Sequence, residues 1–165
     1  MSDVKPIPDR FNSLSAYLIV PNSVEAIEFY TKAFGAELVT RMPGPDGNST
    51  MHAELAIGDS ILMLTDENPQ WNMKSPITLG GCSAAMHLYV EDADAVYNQA
   101  IAAGCQVLAP IDDMFWGDRF GKVADPFGHH WGIATHNEDL SPEEMAEGAK
   151  AAFAAMECGE KPAEA

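Results

Sequence analysis

The chain is poor in positive charge. Nine Lys and Arg stand against 25 Asp and Glu over 165 residues, a formal net charge of -16. Nucleic acid and anionic membrane surfaces attract proteins through clustered Lys and Arg, and here the few basic residues are scattered. Neither nucleic acid nor membrane is an expected partner. Cysteine is also scarce: Cys82, Cys105 and Cys158 are odd in number and widely spaced. No C-x-x-C pair exists, so zinc knuckles and thioredoxin-like motifs are excluded, and reduced thiols in a cytosol are expected. No run reaches the ~20 apolar residues of a membrane helix. Met1 to Asn12 lacks the apolar stretch of a signal peptide. The expected location is cytoplasmic. A Ser-His-Asp order, a phosphate-binding Gly loop and a dinucleotide fingerprint are missing too.

What the chain does have is a repeat. Tyr17-Leu18-Ile19-Val20 and a helical stretch ending at Gly35 return as His87-Leu88-Tyr89-Val90 and a helical stretch ending at Gly104. The Gly58 turn and the apolar strand after it return at Gly128, and both Val20 to Val90 and Gly58 to Gly128 span 70 positions. The reading is an α+β fold of paired βαβββ modules, residues 13–66 and 83–136, joined by a loop at 67–82. Asn22 with Glu25 is a capping-box pattern, and Gly35 is a helix stop. Gly58-Asp59 is a two-residue hairpin turn. It sets a register that pairs Leu55 with Leu62 and Ala53 with Leu64 on one face, and Glu54 with Met63 and His52 with Thr65 on the other. Ser141-Pro142-Glu143-Glu144 starts an added C-terminal helix over 140–157. Residues 158–165 are expected to be disordered.

Strand alternation sorts the residues that carry chemistry. Leu18, Val20, Met86, Leu88, Trp131 and Ile133 face the helices. Tyr17, His87, Tyr89 and His130 then face a cavity between the curved sheets, and the hairpin register adds His52, Glu54 and Met63. His87, Glu54 and His130 are the candidate catalytic groups, because imidazole and a desolvated carboxyl both titrate near neutrality. Tyr17, His52, Met63, Tyr89, Trp116 and Arg119 are the candidate ligand contacts. Bland alternatives stand beside these. His52 and Glu54 can pair with each other. His87 and His130 can be pocket lining without chemistry. Trp116 can stack on a ligand or cover the core, and Arg119 can clamp an anion or pair with Asp118 or Asp113. Trp71 and Met73 suit a lid or a loop anchor. His129, His136 and Asp125 suit structural roles.

Ile27-Glu28-Phe29-Tyr30-Thr31-Lys32-Ala33-Phe34-Gly35 and Asp125-Pro126-Phe127-Gly128-His129 resemble the vicinal oxygen chelate superfamily, which includes glyoxalase I, extradiol dioxygenases and bleomycin-resistance proteins. Phe115-Trp116-Gly117-Asp118-Arg119 and His130 to His136 resemble its bacterial PhnB-like subgroup. The resemblance implies a homodimer, with modules paired within one chain or across two. It also implies metal ligands at four positions, which fall on Ser15, Ala85, Gly132 and Met63 (Leu62 if the register slips by one). None of these residues suits a divalent ion with imidazole and carboxylate ligands. No cofactor and no metal at that site are expected; the alternative is a relocated divalent ion on His52, Glu54, His87 and His130. The implied function is a glyoxalase-like protein binding a small polar or aromatic molecule, as a lyase, isomerase or transferase using His and Glu. The alternative is a non-catalytic binder, of the bleomycin-resistance type, that sequesters an antibiotic or metabolite.

Overall fold

The computed structural model describes residues 4–157. The first module runs β1 (Tyr17–Val20), α1 (Ser23–Phe34), β2 (Glu37–Pro43), β3 (Thr50–Ile57) and β4 (Ser60–Asp66). A 3-10 turn at Pro69–Trp71 and the short α2 (Pro76–Leu79) follow. The second module repeats the plan as β5 (Ala85–Tyr89), α3 (Ala93–Ala103), β6 (Gln106–Asp113), β7 (Asp118–Ala124) and β8 (His130–His136), before α4 (Pro142–Glu157). The sheets are ordered β1-β4-β3-β2 and β5-β8-β7-β6, with β1 parallel to β4 and β5 parallel to β8. This is the paired βαβββ architecture with an added helix.

Matching local chemistry builds both repeats. Asn22 caps α1 by accepting from the amides of Val24 and Glu25, and Asp92 caps α3 by accepting from Ala95. Gly35 ends α1 at φ 65°, a left-handed conformation that glycine adopts without a Cβ penalty. The β3–β4 hairpin has the register set by its turn, Leu55 opposite Leu62 and Glu54 opposite Met63. At α4, Ser141 Oγ accepts from the Glu144 amide while Glu144 Oε2 accepts from the Ser141 amide, a complete capping box.

Some boundaries move. The first strand begins at Tyr17, four residues into the expected module, and Leu14 before it is 89% exposed. The first strand of the second module begins at Ala85, two residues into the expected range of 83–136. The linker contains two short turns of helix, each started by Pro at its first positions. Trp71 in that linker is exposed and does not anchor it to the core. The apolar stripe of α4 is only partly covered: Phe153 meets Phe115 but remains exposed. The C-terminal tail expected to be disordered, and Cys158, lie outside the described residues. Among the described residues no helix is long and apolar enough to cross a membrane.

The two modules share one core. Leu18, Val20, Tyr30, Phe34, Leu55 and Leu64 of the first pack with Tyr97, Val123, Trp131 and Ile133 of the second. α1 lies against α3, and Gln99 Nε2 donates to the carbonyls of Lys32 and Ala33. Phe34 and Trp131 bring their ring centroids to 4.4 Å. Asp125 joins the halves most tightly. Its Oδ1 accepts from the amides of Phe127 and His129, and its Oδ2 accepts from Tyr30 Oη at 2.8 Å and Trp131 Nε1 at 2.9 Å. His129 Nε2 then donates to the Ile19 carbonyl on the first sheet. The helix-side faces of both sheets are spent on this core, and the helix-free faces are left outside it.

One buried group is unsatisfied. The hydroxyl of Ser23, fully buried at the start of α1, has no hydrogen-bond partner among the described residues. Its counterpart in the second repeat is Ala93, and in both places a side chain of the last strand takes the backbone amide: Asp66 for Ser23, Thr135 for Ala93. An unpaired buried hydroxyl costs ~1–3 kcal/mol. Ser23→Ala should therefore raise the free energy of unfolding by ~1 kcal/mol in chemical denaturation. Tyr30→Phe, which removes a donor from a buried carboxylate, should lower it by ~1.5–3 kcal/mol. A destabilised Ser23→Ala or a neutral Tyr30→Phe would contradict this description of the core.

Candidate functional site

The first sheet presents Tyr17, Met63 and Glu54 in one row, because Tyr17 pairs with Met63 and Met63 with Glu54. Residues directly opposite each other share a face. His52 lies next to this row: its Nε2 is 3.1 Å from Glu54 Oε1, and its Nδ1 is 3.4 Å from the Tyr17 hydroxyl. The Tyr17 and His52 rings meet edge to face at 5.7 Å. Tyr17, His52, Glu54 and Met63 are thus brought together. The imidazole and carboxyl of His52 and Glu54 are partly buried and satisfy each other, as in the simpler reading of that pair.

The second sheet presents a different surface. His87 pairs with Gly132, and Gly132 with Lys122; one step along, Ala85 pairs with His130 and His130 with Ala124. A Cβ on Gly132 would stand 2.8 Å from Phe120 Cε2 and 3.1 Å from His87 Nδ1, so only glycine lets those rings lie across the strand. His87 and Phe120 are nearly parallel, 12° apart, with centroids at 5.6 Å. Tyr89 lies 4.7 Å from His87, and Trp116 lies 5.8 Å from Phe120. His87, Tyr89, His130 and Trp116 therefore gather around this sheet, separate from the His52–Glu54 pair.

At one end of this aromatic band sits Asp118, a buried carboxylate. Tyr89 Oη and Trp116 Nε1 both donate to its Oδ2 at 3.0 Å, and His136 Nδ1 lies 2.8 Å from its Oδ1. His136 Nε2 is 3.0 Å from Asp139, so both ring nitrogens face carboxylates. Hydrogen bonding to Asp118 and then Asp139 raises the His136 pKa. Burial alone would push Asp118 up, but the bonds from His136, Tyr89 and Trp116 outweigh it and hold the carboxyl below its ordinary value. The hydrogen bond to Asp118 is also the main reason the Tyr89 phenol is raised. The group ties the segment leading to α4, through Asp139, to the paired ends of β7 and β8.

Arg119 is placed elsewhere. It alternates with Asp118 and Phe120 along β7, so it faces the helices. There its Nε and Nη2 bind the two carboxylate oxygens of Asp94 on α3 at 2.8 and 2.9 Å, with Asp113 at 3.4 Å. Its hydrogen bonds to Asp94 raise its pKa further and lower that of Asp94. Of the two readings of Arg119, anion clamp or ion pair, the geometry shows an ion pair: the guanidinium is held by Asp94 and Asp113 of the same chain on the helix side of the sheet. Alternation along β7 accounts for this, because Gly121 and Val123 are core-facing and Arg119 lies two and four positions before them. By the same count Asp118, Phe120 and Lys122 fall on the helix-free face.

The metal question has a structural answer too. Ser15 and Ala85 line a cavity of about 420 Å³ at the seam of the two sheets, together with Leu62, His87 and Trp131. Neither side chain supplies a nitrogen or carboxylate ligand, and Met63 and Gly132 supply none either. Among the described residues no three His, Cys, Asp or Glu side chains converge as an ion would need. His52 and Glu54 on the first sheet do not form such a set with His87 and His130 on the second. The residues present do not fit the metal of the superfamily's enzymes. Cys105 is no substitute ligand: burial first, and the Asp125 charge second, push its thiol up to about 12.

Two four-stranded modules with helix-free faces of this kind define a class, and the comparison of sequences names it. The family model of the Glyoxalase/Bleomycin resistance protein/Dioxygenase superfamily matches residues 10–133, and the chain belongs to that superfamily. It is 42% identical over 136 residues to the uncharacterized protein Mb0911c of Mycobacterium bovis, covering 81% of this chain and 89% of the relative. Protein PA1353 from Pseudomonas aeruginosa superposes with a TM-score of 0.61 at 26% identity, covering 77% of this chain and 99% of that one. A PhnB protein from Bacillus cereus shares the fold at 18% identity, with a TM-score of 0.59 over 75% of this chain and 99% of its own.

The Asp118–His136 contact sets a pH dependence. A raised His136 contributes stability that is complete below its unfolded pKa of ~6.5 and is lost as pH rises through the folded value. A lowered Asp118 contributes stability that is present above ~3.9 and is lost as pH falls through its folded value. The contact is therefore strongest between those limits. In an NMR titration His136 should titrate above ~6.5, and Asp118→Asn should bring it down. A native His136 titrating at or below ~6.5 would contradict the contact.

Proposed function

We propose that this protein binds a small polar or aromatic molecule on the helix-free faces of its sheets, without the metal used by its enzymatic relatives. One observation carries the reading. The four positions that the resemblance assigns to metal ligands carry Ser15, Met63, Ala85 and Gly132, while the surface around them is lined by Tyr17, His87, Tyr89, Phe120 and Trp116. Aromatic faces hold flat ligands by stacking, and the few polar groups beside them set orientation. Both faces are open in a single chain: Tyr17 is 46% and Tyr89 60% exposed. A closed pocket needs a second wall, and a second copy of the chain supplies it. The protein acts as a homodimer in this reading, and sequestration of an antibiotic or metabolite is its simplest outcome.

The His52–Glu54 contact favours a second reading. An imidazole against a carboxylate, with a phenol on its other nitrogen, is an acid-base unit. It would serve a metal-free lyase, isomerase or transferase step on an oxygenated ligand.

A thermal-shift screen with antibiotics and oxygenated metabolites separates these readings from each other and from failure. At least one compound should raise the melting temperature, and Tyr17→Ala should weaken that shift. Recovery of the compound unchanged supports sequestration; conversion that Glu54→Gln abolishes supports catalysis. A panel without any stabilising compound would count against both.

A further inference from the structure

Lys122 stands out on the second sheet. Register places it directly opposite Gly132, on the face where the His87 and Phe120 rings lie, with His130 one pair away. It is partly buried, and among the described residues no carboxylate lies within 4.0 Å of it. Arg10, Lys32, Lys74 and Lys150 also lack a carboxylate within 4.0 Å among the described residues, but those four are exposed whereas Lys122 is partly buried. Arg119 is held by Asp94, Lys5 by Asp9, and Arg41 by the carbonyls of Asn48 and Ser49. Two acids on β7 and β6 make other contacts. Asp118, further along β7, is occupied by Tyr89, Trp116 and His136. Asp112, opposite Phe120 on β6, is exposed and lies 3.9 Å from Arg119. The equivalent position in the first repeat, by register, is Glu54, and Glu54 is paired with His52.

We infer that the second sheet takes a small planar anion, with Lys122 as the anchor for its charge. The inference rests on the reading that the helix-free faces bind ligand, and it names the class of ligand. The parallel rings of His87 and Phe120, with Tyr89 beside them, offer a slab for an aromatic or conjugated body. Ala85 and Ala124 flank His130 without adding bulk. The ammonium supplies up to three donors to a carboxylate or a similar oxyanion, and His130 stands one register pair away. Charge-assisted hydrogen bonds are about twice as strong as neutral ones, so an ionised acid should be preferred over its neutral amide.

The test compares benzoate with benzamide, which share a ring and differ in charge. Binding is followed by amide chemical shifts in the full chain, for the native protein and for Lys122→Met and Lys122→Arg. Benzoate at millimolar concentration should move the resonances of Gly132, Phe120 and Lys122, with benzamide at least roughly tenfold weaker, a difference of ~1.4 kcal/mol. Lys122→Met should abolish the preference while the melting temperature stays put, and Lys122→Arg should keep it. Equal binding of the two compounds would overturn the inference, as would a preference that survives in Lys122→Met or shifts confined to the first sheet. Absence of benzoate binding would overturn it as well. In any of these cases a stabilising compound from the broader screen would leave the ligand-binding reading standing.

Discussion

The carboxyl group of Asp125 sits where the two repeats meet, and the rest of the molecule is arranged around it. It closes the turn between β7 and β8 by accepting from the amides of Phe127 and His129. It then accepts from Tyr30 of the first module and Trp131 of the second. A buried carboxylate without partners would be prohibitively costly, whereas one with four donors is satisfied and holds its neighbours in one geometry. Tyr30 and Trp131 are themselves centres of the shared aromatic cluster. The helix-side faces of both sheets are therefore committed to the core. The helix-free faces are what the fold has left for function.

Those faces differ although the repeats that build them match. The first carries His52 and Glu54, already paired. The second carries an aromatic band bounded by Asp118 and His136 at one end and by Lys122 and His130 at the other. A duplicated unit gives two equivalent scaffolds, and side chains at equivalent positions are free to diverge. Glu54 and Lys122 occupy equivalent positions with opposite charge. Gly132 stands where Met63 stands in the first module, and this exchange makes room for the His87–Phe120 stack.

Much of this was legible in the order of residues. The repeat, its caps at Asn22 and Asp92, and the hairpin register at Gly58 are local signals, and each appears in the structure where its chemistry places it. The inward side of β1 and β5 followed from alternation alone. The partners of Asp118 were not legible, because Tyr89, Trp116 and His136 come from three separate segments that only the folded sheet brings together. Arg119 shows the opposite lesson. Its nearest acids in sequence were plausible partners, yet its firmest contact is Asp94 on α3, 25 residues away. A charged residue on a strand is assigned by the face it occupies before its neighbours in sequence are considered.

The chain keeps the superfamily's scaffold, while the four positions that the resemblance assigns to metal ligands carry no imidazole or carboxylate. Ser15, Met63, Ala85 and Gly132 cannot hold a divalent ion, and the described histidines and acids do not regroup to replace them. The most direct measurement is the metal content of untagged protein purified without chelator, determined by mass spectrometry before and after reconstitution with divalent transition metals. The expected result is no stoichiometric ion in either sample. About one tightly held ion per chain would contradict the central claim, because it would require a ligand set that these sheets do not display.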